Sequence, residues 1–338
     1  MRSRKLIAVV SLILILSMVL MTGCGGKSDE NNESEETYTI SEPINVAVMN
    51  GPTGMGMIDL LENENYNIEI YQAPTDALPK LISGEVDVAC LPSNMAAVLY
   101  QKTEGQVVCV SPMVMGVLSI LGNGAEVTDI QDLKGKTIVS SGQGGTPEYA
   151  LQAVLEANGL TLGEDVQVSW LANHADVNAL LLTTPGTIAM VPEPFCSVAL
   201  ANGGDSISKL FDMNDLWNEA VGQDFPMGVL IARREFAENR SDDLRAMLID
   251  IKASIDDVNT ASDEVAQKIV DAGFLGDPAI AKAAIPNCSL CLYADEEGDC
   301  SFAKGAEIMK AFNEAMFGMN PAAVGGSLPG DDLYFTGR

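Results

Sequence analysis

The residues able to do chemistry in this chain of 338 residues gather where predicted strands end. Pro192-Glu193-Pro194-Phe195 follows an apolar run at 187–191 and leads into a helix. Glu193 is thereby placed at a strand end, where a carboxylate can meet an amine, an amidine or a heterocyclic N–H. The plainer alternative is a first-turn carboxylate that only complements the helix dipole. Pro92-Ser93-Asn94 holds the matching place a hundred residues earlier. Its hydroxyl and amide suit either a ligand or the caps of a helix. Two glycine loops complete the set: Asn50-Gly51-Pro52-Thr53-Gly54-Met55-Gly56 and Gly142-Gln143-Gly144-Gly145-Thr146. Glycine keeps side chains out of the way, so loop amides and a helix N-terminus can touch a ligand directly. Neither loop is a Walker phosphate loop, since no Lys-Ser/Thr follows, and neither has dinucleotide-fingerprint spacing. Gly116, at the start of a further strand, joins the same candidate set.

His174 is the only histidine, and no nucleophile elbow lies near it, so a surface or core role is expected rather than a catalytic triad. Met55, Met57, Met113 and Met115 can form a soft wall or fill the core. Cys90 and Cys196 sit in apolar patterns as buried thiols. Cys288-x-x-Cys291 and Cys300 can form a disulfide in an exported protein; with no adjacent His and no second pair, a metal is not expected. No cofactor is implied.

These residues need a scaffold of strands alternating with helices. Strands are predicted at 44–49, 67–72, 86–91, 106–110, 116–121, 137–141, 166–171, 187–191, 206–211 and 227–232, and the chain is mostly helical from 235. This alternation predicts α/β lobes with mainly parallel sheets flanked by helices. Thr146 is the expected N-cap of the helix after the second glycine loop, with Pro147 at its first position and Ala150, Leu151, Val154 and Leu155 on its buried face. An internal repeat supports two similar lobes: Leu81, Ala89, Pro92 and Val98 match Leu181, Ala189, Pro192 and Val198. The first lobe is expected to comprise 43–122 and 227–338, the second 123–226. The hinges are expected at Gly122–Gly124 and around 216–227. In such sheets ligands sit beyond the carboxyl ends of strands, where both glycine loops and both proline segments fall.

The formal net charge is −28, from 19 basic and 47 acidic residues. A surface of this sign repels phosphate backbones, so nucleic acid is not an expected partner, although a pocket's local field can still suit a small anion. Residues 1–23 carry Arg2, Arg4 and Lys5, then an apolar run to Met21, as an export signal does. Met21-Thr22-Gly23-Cys24 resembles the bacterial lipobox, with Met in place of the usual Leu. This implies cleavage and a lipid on Cys24 that anchors the protein to the outer face of the cytoplasmic membrane; a single spanning anchor is the alternative. Residues 24–42, rich in Ser, Asp, Glu and Asn, are expected to be a disordered tether.

From about Ile44 onward the chain resembles the substrate-binding lipoproteins of ABC importers in the nitrate/sulfonate/taurine and thiamine-precursor (NMT1-like) group. The resemblance is carried by Leu81-Ile-Ser-Gly-Glu-Val-Asp-Val88, Asp132-Leu-Lys-Gly-Lys-Thr137, the segment 142–149 and Ala189-Met-Val-Pro-Glu-Pro-Phe195. The last looks like the family's Trp-Glu-Pro segment with Pro192 replacing Trp. The resemblance implies a two-lobed type II periplasmic-binding fold that closes over a small polar or heteroaromatic ligand and delivers it to a permease with its ATPase. On that reading the protein has no chemistry of its own. The alternatives are an enzyme on the same fold, of the pyrimidine-precursor synthase or menaquinone-pathway dehydratase type, or a component that presents ligand to a sensor.

Overall fold

The computed structural model describes residues 38–337. The expected leader, Cys24 and the first part of the tether lie outside the described residues. The tether's last residues are held, which corrects the expected free run to Glu42. Ser41 donates from its amide and its hydroxyl to Asp243 at 2.9 and 2.8 Å, and Arg240 donates to the Glu42 carbonyl. Asp243 is buried and paired with Arg240, so it offers a fixed acceptor to the incoming chain.

The strands are β1 (Ile44–Met49), β2 (Tyr66–Tyr71), β3 (Val88–Pro92), β4 (Val107–Val114), β5 (Leu118–Asn123), β6 (Thr137–Ser141), β7 (Gln167–Leu171), β8 (Ile188–Pro192), β9 (Ile207–Asp212) and β10 (Gly228–Arg233). Among the described residues they form two five-stranded sheets, in the orders β2-β1-β3-β10-β4 and β7-β6-β8-β5-β9. Within each, the first three strands are parallel and the fourth is antiparallel to both of its neighbours. The central strands β3 and β8 read Val-Ala-Cys-Leu-Pro and Ile-Ala-Met-Val-Pro and are buried almost throughout, as strands covered on both faces must be.

Helices α1 (Pro52–Met55), α2 (Pro74–Ser83) and α3 (Asn94–Lys102) follow β1, β2 and β3. In the second half α4 (Thr146–Ala157), α5 (His174–Thr183) and α6 (Phe195–Gly203) follow β6, β7 and β8 in the same order. Helix α7 (Met213–Val221) leads to the return crossing, and α8 (Arg234–Asn239), α9 (Ser241–Asn259), α10 (Asp263–Asp271), α11 (Pro278–Ala284) and α12 (Phe302–Met319) complete the chain. The repeat is structural. Ala89 pairs with Ala47 in one sheet, and Ala189 pairs with Val139 at the corresponding place in the other.

In α4, Ala150, Leu151, Val154 and Leu155 are all buried, and Gly159 supplies the left-handed exit with φ 72°. The N-cap is Gly145 rather than Thr146, which is already the first helical residue. The Thr146 hydroxyl turns away from its own helix and donates to Asn94 Oδ1 at 3.1 Å.

The first crossing differs from the expected Gly122–Gly124. The chain leaves the first sheet after Val114 and enters the second at Leu118. Residues 118–122 pair antiparallel with β8, from Leu118↔Pro192 to Gly122↔Ile188. Gly122 serves close packing: a Cβ there would stand 2.9 Å from the Leu210 side chain. The return crossing runs through residues 222–227 beside the first, with the Met227 amide donating to the Val114 carbonyl at 2.8 Å. Across this junction Trp217 stacks on Phe225 at 4.7 Å, and α12 brings Phe312 to 6.0 Å from Trp217. All three side chains are buried, so the C-terminal helix seals the seam between the halves.

Candidate functional site

A cavity of about 250 Å³ lies at the seam, at the carboxyl ends of the parallel strands. Its wall draws on matching loops of the two halves. Asn50, Gly51 and Thr53 follow β1, while Gly142, Gln143 and Gly145 follow β6. Gln72 and Pro74 follow β2, while Asn173 and His174 follow β7. Pro92 ends β3 and Met95 follows it, while Pro192 ends β8 and Glu193 and Phe195 follow it. Val114, Val117, Met227 and Gly228 of the two crossings close it. The junction repeats one hydrogen bond: the Ser93 amide donates to the Met227 carbonyl at 3.2 Å, and the Glu193 amide to the Val117 carbonyl at 2.9 Å. The loops after the two central strands are thereby each fastened to a crossing segment.

Glu193 is only 5% exposed, and one carboxylate oxygen accepts the Ser197 amide at 3.1 Å in the first turn of α6. Burial raises its pKa above the usual carboxylate value, against the opposing pull of the Ser197 hydrogen bonds. Among the described residues no basic side chain pairs with it; Lys209, in the same region, is bound to Asp212 at 3.1 Å. No Lys or Arg among the described residues lines the cavity, so Glu193 is the only formally charged side chain on its wall.

His174 was expected at the surface or in the core, but it lines the cavity as the first residue of α5. Its Nδ1 lies 2.6 Å from the Ser141 hydroxyl, and its ring sits 5.6 Å from that of Phe195. Burial pushes its pKa down to about 4, so the imidazole is neutral around pH 7. Its place was legible in the repeat, since Pro74 opens α2 where His174 opens α5.

Of the candidates read from the sequence, Asn50, Gly51, Thr53, Gly142, Gln143, Gly145, Glu193 and Phe195 line the cavity. Gly54, Met55, Ser93, Asn94, Gly116, Gly144 and Thr146 lie outside its wall. A Cβ on Gly54 would come within 2.5 Å of the Phe274 ring, and Met55 is buried in the cluster around Phe274 and Ile285. Gly116 lets the first crossing pass Asn214, whose Oδ1 would stand 2.3 Å from a Cβ. Asn94 donates to the Ala323 carbonyl at 3.0 Å and accepts from Thr146, so these two buried side chains join the halves. Ser93 is fully buried with its hydroxyl unpartnered. Met57 and Met113 fill the core of the first half and Met115 is half-buried off the wall, while Met49, Met95 and Met227 supply the soft lining instead.

At three of the helix N-termini around the cavity one amide is already bound by a side chain of this chain. Gly144 donates its amide to Glu148 at 2.6 Å, the Asn173 side chain accepts the Asp176 amide at 2.9 Å, and Glu193 accepts that of Ser197. At α4 and α6, two of the helix starts expected to face a ligand, part of that capacity is taken up by Glu148 and Glu193. Cys288, Cys291 and Cys300 are unbridged thiols. Among the described residues no group of His, Cys, Asp and Glu is arranged to hold a metal, and no helix is long and apolar enough to cross a membrane.

Against solved structures, the chain is similar to an ABC transporter from Parabacteroides distasonis, with a TM-score of 0.70 at 22% identity over 88% of this chain and 99% of that one. It is also similar to the periplasmic aliphatic sulphonate binding protein SsuA from Escherichia coli, with a TM-score of 0.64 at 18% identity over 81% of this chain and 87% of that one. The periplasmic nitrate-binding protein NrtA from Synechocystis PCC 6803 gives 0.66 at 14% identity over 86% and 87%. At such identities the likeness is one of fold, the two-lobed type II periplasmic-binding architecture. No curated protein matches. The model of the NMT1-like family matches residues 71–271, which include the whole second sheet and the wall from Gln72 to Gly228. The chain belongs to the NMT1-like family.

Proposed function

We propose that this protein is an extracytoplasmic solute-binding protein: it captures a small molecule in the seam cavity and delivers it to the permease of an ABC importer. The observation that carries this reading is the cavity's position. It lies between two halves of like topology, at their strand ends, and two adjacent segments join those halves. The proposed lobes, with the first boundary moved from residue 122 to the 115–117 crossing, move about these segments as the ligand enters. A lipid on Cys24 tethers the body to the outer face of the cytoplasmic membrane. The printed names of the similar structures, an ABC transporter and two periplasmic binding proteins, point the same way.

Ser141 and His174 are the one pair on the wall that invites a hydrolytic reading. The pair lacks the means for it. An imidazole with its pKa near 4 is a poor base at neutral pH, Ser141 is 1% exposed, and no carboxylate is hydrogen-bonded to the ring. We therefore read the protein as a binder without catalysis.

The test is to purify the mature chain, extract it under denaturing conditions and identify released small molecules by mass spectrometry. Each is then returned to ligand-stripped protein. A true ligand at a hundred times its dissociation constant adds about 2.7 kcal/mol of stability and raises Tm by several degrees. It also compacts the protein in solution scattering. A protein that yields no small molecule, and that no returned metabolite stabilises, is not a solute-binding protein of this kind.

A further inference from the structure

The wall of the cavity carries a charge without a counter-charge, and this defines what can fill it. We propose that the ligand is a small organic base that presents a cationic nitrogen, an ammonium, amidinium or protonated heterocycle, to Glu193, and that the site turns oxyanions away. This rests on the solute-binding reading and adds the sign of the ligand's charge.

Three independent observations converge. Glu193 is 5% exposed and is held by hydrogen bonds from Ser197 and Cys196, but it has no ion-pair partner among the described residues. A buried carboxylate left in that state is costly, and a bound cation offsets the cost directly. Second, no fixed positive charge reaches the wall. No Lys or Arg among the described residues lines the wall, the amides of Gly144, Asp176 and Ser197 are each bound by a side chain of this chain, and His174 is held neutral by burial. An oxyanion would face Glu193 with nothing to balance it. Third, Met49, Leu91, Met95, Phe195 and Met227 make much of the wall apolar. The ligand is accordingly a base on an apolar body, with His174 and Gln143 available for its neutral polar atoms.

The test uses two probes of one shape and opposite charge, benzamidine and benzoate, titrated by calorimetry into ligand-stripped protein at neutral pH. Concentrations extend to about 10 mM, where a fragment with a dissociation constant of ~1 mM saturates the site. Benzamidine should bind at least about tenfold more tightly than benzoate, and Glu193→Gln should remove most of that preference. Glu193→Asp, which keeps the charge, should retain the preference and serves if the Gln variant fails to fold. Tighter binding of benzoate, or benzamidine binding that Glu193→Gln leaves unchanged, overturns the assignment and leaves solute capture standing. Failure of both probes overturns it as well, and solute capture is then decided separately by the extraction experiment.

Discussion

His174 should remain neutral far into the acid range, and the chain's composition makes this directly measurable. It is the only histidine of the sequence, so an untagged protein has a single imidazole to follow. Burial lowers its pKa from 6.5 to about 4. An unfolded chain takes up the proton near 6.5 and the folded one only near 4, so between these values the unfolded state binds more protons and stability falls as pH falls. At about 1.4 kcal/mol per pH unit, the loss attributable to this residue is about 3 kcal/mol. The variant His174→Gln keeps a polar partner for Ser141 but cannot titrate. Urea unfolding of both proteins from pH 7.5 to pH 4 should therefore show wild type losing about 3 kcal/mol more than the variant, with the common carboxylate background cancelling. In parallel, the imidazole C–H resonance should titrate with a midpoint near 4. Parallel stability curves, or a midpoint near the ordinary ~6.5, would refute the burial and the closed cavity wall from which the argument starts.

Three further outcomes follow from the same geometry. Asn94→Ala strands the Ala323 carbonyl and the Thr146 hydroxyl in a buried setting and should cost about 1–3 kcal/mol in urea unfolding; an unchanged midpoint would mean that the halves are not joined there. Gly54→Ala drives a methyl to 2.5 Å from the Phe274 ring and 2.8 Å from the Met49 carbonyl, and should destabilise by about 1–3 kcal/mol, read as a lower Tm without any first-order effect on ligand charge preference. Glu193→Gln should raise the Tm of ligand-free protein at pH 7, because burial penalises the charged carboxylate and the amide carries no charge. By the same sign, ligand-free wild type gains stability from Glu193 as pH falls through its raised pKa. A lower Tm for the variant would make Glu193 chiefly a helix cap.

The strand-helix alternation, the repeat and the glycine loops were legible in the sequence because each is a local pattern. The hundred-residue match of Ala89 with Ala189 and Pro92 with Pro192 placed both central strands and both following loops. What escaped was decided by partners distant in sequence. Gly122 resembles a hinge in isolation, and only its pairing with Ile188 and its approach to Leu210 show it to be strand interior. Thr146 has the composition of an N-cap, but Asn94, from the other half, competes for its hydroxyl. A lone histidine carries no periodic signal. His174 became a wall residue because the repeat puts the start of α5 opposite the start of α2, an inference available only once the match is extended upstream to Pro74.

The order in which the strands are laid down has a consequence for synthesis. All strands of the second sheet lie within residues 118–212, so that sheet can be completed while the chain is still emerging from the ribosome. The first sheet cannot. Its β10 belongs between β3 and β4, so until residues 228–233 appear these two strands have no shared neighbour and leave open edges. Such edges are where nascent chains pair wrongly or recruit one another. The half that is translated first is thus the last to be finished.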